Sequence, residues 1–274
     1  MINNALFHWN MNPVLASAGP LSIRWYGIFF AAAFVSGFIL MRWIYKKEEL
    51  PETALDPLFL YMIAGTIVGA RLGHCFLYDP AYYLSRPFEI LKIWEGGLAS
   101  HGGALGILLS LFIYTRRPGR PSYLWLLDRM AIPAALGGFF IRIGNFFNSE
   151  IIGTPTSGWW AVVFERVDQA PRHAVQLYEA LAYGAIFFIL LFLYRRYGKN
   201  IREGLLLGVL FVSVFTVRLV LEFVKTPQAA YAAPWIFSVG QWLSLPFIVL
   251  GSGLLVHSLN SAEKNICSAC SHHS

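Results

Sequence analysis

The chain has 274 residues, of which 57% are hydrophobic and only 13% are charged. Soluble domains carry about a quarter charged residues, so this composition excludes an ordinary water-soluble globular protein. The formal net charge of +6 requires no nucleic-acid partner, because Lys and Arg are gathered in short connections between apolar runs, as in membrane proteins.

The apolar runs predict an all-α, polytopic membrane protein with seven transmembrane helices, and no strand alternation indicates a membrane barrel. Residues 1–20 have no basic region ahead of their apolar residues and are not expected to be a cleavable signal peptide. The third span is short and is expected to tilt or to begin as a re-entrant segment. The predicted spans cover roughly residues 21–45, 57–78, 98–115, 128–148, 174–194, 204–224 and 235–257.

The Lys and Arg distribution predicts the orientation of these spans. With the N-terminus outside and the C-terminus inside, the inner connections hold more of these residues than the outer ones. The connection 149–173 is polar, and lipid cannot satisfy its backbone, so it is expected to form a short extracytoplasmic subdomain. We predict one integral-membrane domain over residues 1–260 and a disordered cytoplasmic tail over 261–274.

The cysteines predict neither a disulfide framework nor a metal centre. Cys75 lies within an apolar segment, whereas Cys267 and Cys270 form C-S-A-C in the polar tail, followed by His272 and His273. This tail resembles half a zinc site, but zinc needs four ligands and usually a second pair. We therefore predict no bound metal and assign no role to the tail.

Polar side chains close the fourth predicted span, in the stretch 141–153, I-R-I-G-N-F-F-N-S-E-I-I-G. A charge or amide at membrane depth is costly unless it is paired or belongs to a site. In a helix Arg142 and Asn145 share a face, as do Asn145 and Asn148. Together with Glu150, they indicate a functional site around which the other spans are arranged.

Five predicted spans bring polar residues to the same depth, beneath the outer surface. Scattered tolerance of polar residues would not produce this agreement. Arginine keeps its charge there, and its planar guanidinium matches phosphate oxygens, so the cluster predicts an anionic lipid-headgroup site. The residues are Arg24, Tyr26, Arg71, His74, His101, Arg142, Asn145, Asn148, Arg218 and Glu222.

Structural roles are the alternative for several of these residues. Arg218 and Glu222 are four positions apart, so Glu222 is expected to hold Arg218, and Glu150 is expected to hold another arginine. Cations are expected to outnumber carboxylates in the whole cluster. Tyr26 is either an interfacial belt residue or a hydrogen-bond donor to a lipid ester.

His101 lies in E-G-G-L-A-S-H-G-G-A-L-G, where glycines permit close backbone approach. A neutral imidazole near pH 7 can accept a proton from a thiol, although a lone histidine in an apolar helix is also a common structural residue. His74 lacks the glycine context and is interpreted as structural.

Other function classes receive less support from the sequence. The chain contains no P-loop, no H-E-x-x-H and no G-x-S-x-G motif. An outer-leaflet lipid or anion transporter remains an alternative, although no internal repeat is visible and the polar cluster lies away from the midplane. No Ser–His arrangement favours an intramembrane protease.

The polar stretch resembles the signature of the prolipoprotein diacylglyceryl transferase family, G-R-x-G-N-F-x-N-x-E-x-x-G, whose specified positions are matched from Arg142 to Gly153. Departures are Ile141, where the family usually has glycine, Ala174 in place of a common proline, and Lys225 where arginine is frequent. Supporting matches are R-W-Y-G at 24–27, G-A-R-L-G-H at 69–74, H-G-G-A-L-G at 101–106, D-x-x-x-x-P at 128–133, R-H-A-V-Q-L-Y-E-A at 172–180, R-L-V-L-E-F at 218–223 and G-Q-W-L-S-L-P at 240–246.

The resemblance implies the first step of bacterial lipoprotein maturation, on the extracytoplasmic side of the inner membrane. The sn-1,2-diacylglyceryl group of phosphatidylglycerol moves to the lipobox cysteine thiol of a prolipoprotein, forming a thioether and releasing glycerol 1-phosphate, without a cofactor. His101 is the candidate base, although an arginine-activated thiol is the alternative, and Arg142 and Arg218 are the implied phosphate clamps. The other implied catalytic or substrate-binding residues are Tyr26, Gly102, Gly103, Asn145, Asn148, Glu150, Gly153 and Glu222.

Overall fold

The computed structural model describes residues 7–19, 21–226 and 238–271. The described chain is mostly helical, and six of its helices are long and apolar enough to cross a membrane, which makes it a polytopic membrane protein. Two compact units form, one from Met1–Met41 with Asp128–Ser274 and one from Arg42–Leu127. The helices are α1 Trp25–Lys47, α2 Leu55–Leu77, α3 Pro80–Ser85, α4 Ser100–Thr115, α5 Tyr123–Asn148, α6 Val175–Tyr197, α7 Leu205–Leu221 and α8 Val239–Ser271.

The observed helices differ in extent from several of the predicted spans. The third predicted span corresponds to α4, which has only 16 residues and is shorter than the six candidate spans. The last span was predicted to end near residue 257, whereas α8 is helical to Ser271. His272 and His273 lie outside the described residues.

In the Arg42–Leu127 unit, α2 packs closely against α4 through facing glycines. A Cβ atom at Gly69 would lie 2.7 Å from the Cα of Gly106, and one at Gly73 would lie 2.7 Å from the Cα of Gly102. Small residues spaced one helical turn apart let two backbones approach, which is a common basis of helix association in lipid. This packing accounts for the glycines that surround His101.

Arg71 of α2 holds the segment that leads into α4. Its side chain is buried, and its Nε donates to the Ile90 carbonyl at 2.9 Å while Nη1 donates to the Gly96 carbonyl at 2.6 Å. The Ala99 amide also donates to the Ala70 carbonyl at 2.9 Å. Arg71 is therefore occupied by backbone acceptors of its own unit, a role that the sequence analysis did not predict.

The other unit contains short strands that the sequence analysis did not predict. One sheet joins β1 Phe7–Trp9 in parallel to β4 Val162–Phe164, which pairs antiparallel with β5 Pro171–Arg172. A second pairs β2 Val14–Ala18 with β3 Leu21–Arg24, directly before α1. Three-residue strands carry too little period-two pattern to be recognised in a sequence.

A buried carboxylate connects the start of α5 to the start of α7. Asp128 is fully buried, and its Oδ1 accepts a hydrogen bond from the Leu207 amide at 2.9 Å, which satisfies one of the free N–H groups at the beginning of α7. At a rise of about 1.5 Å per residue, Arg142 lies about 21 Å along α5 from Asp128, and Arg218 lies about 17 Å along α7 from Leu207. Both arginines therefore lie at similar depth within this unit.

Candidate active site

The segment after α5 has a strained backbone. Ser149 and Ile151 both adopt φ of 57°, a left-handed conformation that is unfavourable for residues other than glycine and costs most for a β-branched one. Gly153 is in close contact with the next segment, because a Cβ atom there would lie 2.6 Å from the Cβ of His173. This backbone presents Glu150 to the last turn of α5.

Glu150 accepts hydrogen bonds from two asparagines. Asn145 Nδ2 donates to its Oε2 at 3.2 Å, and Asn148 Nδ2 donates to its Oε1 at 3.1 Å. Arg142 Nη1 donates to Asn145 Oδ1 at 3.3 Å, so these residues share one face. The expectation that Glu150 holds an arginine directly is wrong, because Asn145 stands between the two charges.

Glu179 of α6 is the main residue that the sequence analysis missed. Its fully buried carboxylate lies 2.9 Å from Arg142 Nε through Oε2 and 2.9 Å from Lys225 Nζ through Oε1. The Arg142 contact is an ion pair without hydrogen-bond geometry, since Oε2 accepts no hydrogen bond. A glutamate within the predicted span 174–194 was a usable signal, because carboxylates are rare at membrane depth.

Glu222 does not pair with Arg218, so that expectation is wrong. Its Oε2 lies 3.3 Å from Lys225 Nζ, and its Oε1 accepts a hydrogen bond from Ser238 Oγ at 2.9 Å. The 3₁₀ turn Glu222–Val224 follows α7, and the Lys225 amide donates to the Glu222 carbonyl at 3.2 Å, so this turn brings Lys225 next to Glu222.

Arg218 is the uncommitted cation of this cluster. Its guanidinium carbon lies 6.0 Å from the Phe215 ring centroid, and no carboxylate of the described residues is within ion-pair distance of it. Tyr183 of α6 is close enough to both arginines to interact with them electrostatically. Arg142 and Arg218 are therefore both near this tyrosine.

The charges of the residues gathered at the ends of α5 and α7 are balanced. Glu150, Glu179 and Glu222 match Arg142, Arg218 and Lys225 in number, and each carboxylate is contacted by side-chain nitrogen or hydroxyl donors of the protein. Among the described residues, no group of three His, Cys, Asp or Glu is placed to hold a metal ion. The capacity to bind an anion thus rests on Arg218 and on the free edge of Arg142.

Tyr26 lies in the first turn of α1, next to the signature stretch. A Cβ atom at Gly144 would lie 2.9 Å from Tyr26 Cδ2, so the glycine makes room for the aromatic ring. The Tyr26 hydroxyl is within electrostatic range of Glu150 and Arg142. The structure therefore brings Tyr26 into the polar cluster and does not leave it solely as a belt residue.

The remaining predicted residues occupy different positions. His101 lies in the first turn of α4, in the other unit, with an exposed side chain, whereas Gly102 and Gly103 are buried. Gly102 contacts α2, as described above. His74 stacks on Tyr78, in agreement with its structural interpretation.

An apolar cavity of about 130 Å³ lies between α5, α6 and α7, with Tyr183 in its wall. The tyrosine therefore borders apolar space and is also within electrostatic range of the arginines. A ring with one wet and one apolar side is well suited to the boundary between a lipid headgroup and its chains. The other lining residues are Ala134, Ala135, Gly138, Leu210, Phe211, Val214 and Phe215.

The segment before α6 is tied to the end of the signature stretch by Arg172. Its Nε donates to both Asp168 carboxylate oxygens at 3.1 Å, and its Nη1 donates to the Gly153 carbonyl at 3.1 Å. The hydrogen bond from Arg172 lowers the pKa of the Asp168 carboxyl below its usual range. Gly153 also pairs with Lys225 in an isolated β-bridge, so this support reaches the charged cluster.

Comparison with known proteins places this geometry in context. Residues 13–257 match the family model described as prolipoprotein diacylglyceryl transferase. The chain is similar to the phosphatidylglycerol–prolipoprotein diacylglyceryl transferase of Tolumonas auensis, with 52% identity over 94% of this chain and 99% of the relative. It is also similar to the proteins of that name from Chloroherpeton thalassium, 50% identical over 96% and 98% of the two chains, and from Bacteroides fragilis, 40% identical over 91% and 95%.

Proposed function

The chain belongs to the prolipoprotein diacylglyceryl transferase family, and from this membership we propose that its polar cluster binds the phosphate of phosphatidylglycerol during the transfer. The chain is a phosphatidylglycerol–prolipoprotein diacylglyceryl transferase, an enzyme of lipoprotein maturation. One observation carries the assignment of the site: Arg218, in the last turn of the apolar helix α7, has no carboxylate of the described residues within ion-pair distance. Such a cation has no counter-ion among the described residues, and an anionic headgroup supplies one.

The reaction that we propose is a displacement at carbon. The lipobox cysteine thiolate attacks the glycerol carbon that carries the phosphate ester, a carbon–sulfur bond forms, and the carbon–oxygen bond breaks. Glycerol 1-phosphate leaves with the bond electrons, and the thiol proton passes to a base. The departing phosphate gains charge as the bond breaks, so fixed cations stabilise the transition state more than the ground state.

The side-chain roles follow from the contacts described above. Arg218 and Arg142 are the proposed phosphate clamps, and Tyr183 is within electrostatic range of both. Asn145, Asn148 and Glu150 form a rigid network beside Arg142, which limits its movement during the reaction. We assign Tyr26 to orienting the lipid ester, Gly153 to backbone geometry and Glu222 to restraining Lys225.

The base remains assigned to His101 by family resemblance. Its exposed side chain in the first turn of α4 leaves the imidazole open to a thiol. In the proposed assignment Gly102 and Gly103 give substrate close access to this turn, although Gly102 also has the packing role described above.

The apolar cavity beside Tyr183 is the proposed site for part of an acyl chain. Its walls are apolar apart from the tyrosine, so a hydrocarbon chain loses no hydrogen bonds there. A phosphate bound by Arg218 and Arg142 would place the attached chains on the side of Tyr183 where the cavity lies.

We propose the same topology that the Lys and Arg distribution predicts. The six candidate spans and α4 together make seven membrane segments, with the N-terminus outside and the C-terminus inside. Under this topology the ends of α5 and α7, and with them the cluster, lie toward the extracytoplasmic side of the bacterial inner membrane. The whole of residues 1–260 would then act as one transferase domain.

The test is mass analysis of a peptide with a lipobox cysteine after incubation with the purified protein in phosphatidylglycerol vesicles. A diacylglyceryl mass gain that is lost when cysteine is replaced by serine supports the proposed chemistry. Vesicles of phosphatidylcholine, whose headgroup has no net charge, are the matched lipid control. Peptide cleavage without mass gain, or no change at all, would reject the assignment.

A further inference from the structure

Glu179 joins three segments of the chain at one buried carboxylate. It lies on α6, and its two oxygens are each 2.9 Å from a cation, Arg142 Nε of α5 and Lys225 Nζ beyond the end of α7. The glutamate side chain is 0% exposed, whereas those of Arg142 and Lys225 are 11% and 10% exposed. The carboxylate is thus inside the protein, and the cations extend from it toward the open side of the cluster.

This arrangement restricts the orientation of the Arg142 guanidinium. The Nε side faces Glu179, and Nη1 donates to Asn145 Oδ1 at 3.3 Å. A planar group with contacts on two of its edges is restricted in both position and tilt. Without Glu179, the Nε side of Arg142 would have no charged partner, and the guanidinium could turn away from the substrate.

The same carboxylate sets the charge that a phosphate encounters. Arg142, Glu179, Lys225 and Glu222 form an alternating chain of charges along contacts of 2.9, 2.9 and 3.3 Å. Within this chain the charges cancel, and Arg218 is the cation of the cluster that pairs with no carboxylate of the described residues. Removing the negative charge of Glu179 would add a positive charge to the site and also release Arg142.

We propose that Glu179 is a positioning residue that aligns Arg142 for the transition state and limits the positive charge offered to the bound lipid phosphate. This inference rests on the proposed function, because it assumes that the cluster binds phosphatidylglycerol. An excess cation attracts phosphate in the ground state as well as in the transition state, and such uniform binding does not raise turnover. Glu179 thereby aligns Arg142 for the transition state and does not strengthen the binding of the anion in the ground state.

The inference predicts a specific kinetic pattern for Glu179→Gln, which keeps the size of the side chain and removes its charge. We expect kcat for transfer to a lipobox peptide to fall at least tenfold, while the KM for phosphatidylglycerol stays unchanged or decreases. A purely structural role would instead reduce the folded fraction and leave the kcat of the folded enzyme intact. Rates are therefore referred to the folded fraction, measured by size exclusion in detergent.

A double variant separates alignment from pairing. In Glu179→Gln the ammonium of Lys225 loses its closest carboxylate, so Glu179→Gln/Lys225→Gln should recover much of any lost thermal stability. Turnover should stay low in the double variant, since Arg142 remains without its partner. Recovery of kcat to within twofold of wild type would overturn the positioning role.

Glu165→Gln is the matched control, because it also removes the charge of a paired glutamate. The partner of Glu165 is His8, at an exposed position. This control should retain wild-type kcat and KM. If Glu179→Gln does not fold, Glu179→Asp is measured in its place. The shorter aspartate side chain cannot reach both cations, so this variant should show the same fall in kcat. Wild-type turnover in Glu179→Gln or Glu179→Asp rejects the inference, whereas a wild-type protein without transfer activity rejects the proposed function itself.

Discussion

Glu222 pairs with Lys225, three residues later, and leaves Arg218 without a carboxylate among the described residues. The α-helical spacing of four favours the opposite choice, but the 3₁₀ turn after α7 brings the Lys225 ammonium to the Glu222 carboxylate. A cation that would otherwise be neutralised inside the protein is thereby available for a lipid phosphate. The predictions below begin with this arginine.

Replacing Arg218 with Gln should reduce kcat/KM for diacylglyceryl transfer on the order of a hundredfold, because a fixed charge at the leaving phosphate is lost. Arg218→Lys should recover part of the activity, since lysine keeps the charge but cannot form a two-pronged contact. The measurement is the initial rate with a fluorescent lipobox peptide in phosphatidylglycerol vesicles.

Arg42→Gln is the control for this substitution. Arg42 pairs with Glu52 at 2.8 Å in the Arg42–Leu127 unit, and its side chain is 63% exposed, so its loss should leave transfer unchanged. Equal rates for Arg218→Gln and wild type would remove Arg218 from the site.

The glycine contact between α2 and α4 predicts a stability effect. In Gly69→Ala the new methyl group would lie 2.7 Å from the Cα of Gly106, so the helices must separate. Overpacking of this kind costs about 1–3 kcal/mol.

Gly253→Ala is the control, because that glycine in α8 has no neighbouring atom within 4 Å of the added methyl. We expect the melting temperature in detergent to fall for Gly69→Ala and to stay constant or rise for Gly253→Ala.

The Asp168–Arg172 pair predicts a pH dependence of the segment before α6. The pKa of Asp168 is lower in the folded protein than its usual value of 3.8, chiefly because of the hydrogen bond from Arg172. The pair therefore stabilises the fold fully above that usual value, and its contribution is lost as the pH falls through the lowered folded pKa. The protection factors for hydrogen exchange of residues 154–172, which correct for the pH dependence of the intrinsic exchange rate, should fall on acidification through this window.

Asp168→Asn should remove this acid-dependent change, since the amide does not titrate there. Amide exchange in this variant at pH 6 should already be faster than in wild type. Without the Asp168 carboxylate, Arg172 is held less firmly, and its hydrogen bond to the Gly153 carbonyl is weakened. An identical acid response in Asp168→Asn and wild type would assign the effect to other carboxylates.

Much of the fold was predictable because its main elements are long and apolar. The polar residues of the signature stretch were identified because membrane depth makes them costly, and the structure connects Arg142, Asn145, Asn148 and Glu150 by hydrogen bonds. Helical spacing correctly placed Asn145 beside Arg142, since both are on one continuous helix.

Pairing between different segments was not predictable in the same way. Glu179 and Lys225 are 46 positions apart, and no local period indicates that they meet. The predicted convergence also assumed that every outer-depth cation faces one site, whereas Arg71 is occupied by backbone carbonyls. The pattern of apolar residues along the chain predicts the membrane depth of a polar residue, but the partner of that residue depends on which helices pack together.

The apolar cavity provides the last prediction, a change in acyl-chain preference. Ala134→Leu adds hydrocarbon to a space of about 130 Å³ without altering any charge of the cluster. If an acyl chain occupies this cavity, the variant should lose activity with long-chain phosphatidylglycerol and regain it with short-chain lipid, which needs less room.

Leu181→Met is the control, since Leu181 of α6 is 72% exposed and does not line the cavity. The ratio of rates with the two lipids is measured in mixed micelles. A ratio equal to that of wild type in Ala134→Leu would place the acyl chains elsewhere and leave the phosphate assignment untouched, because the headgroup contacts of Arg142 and Arg218 do not depend on Ala134.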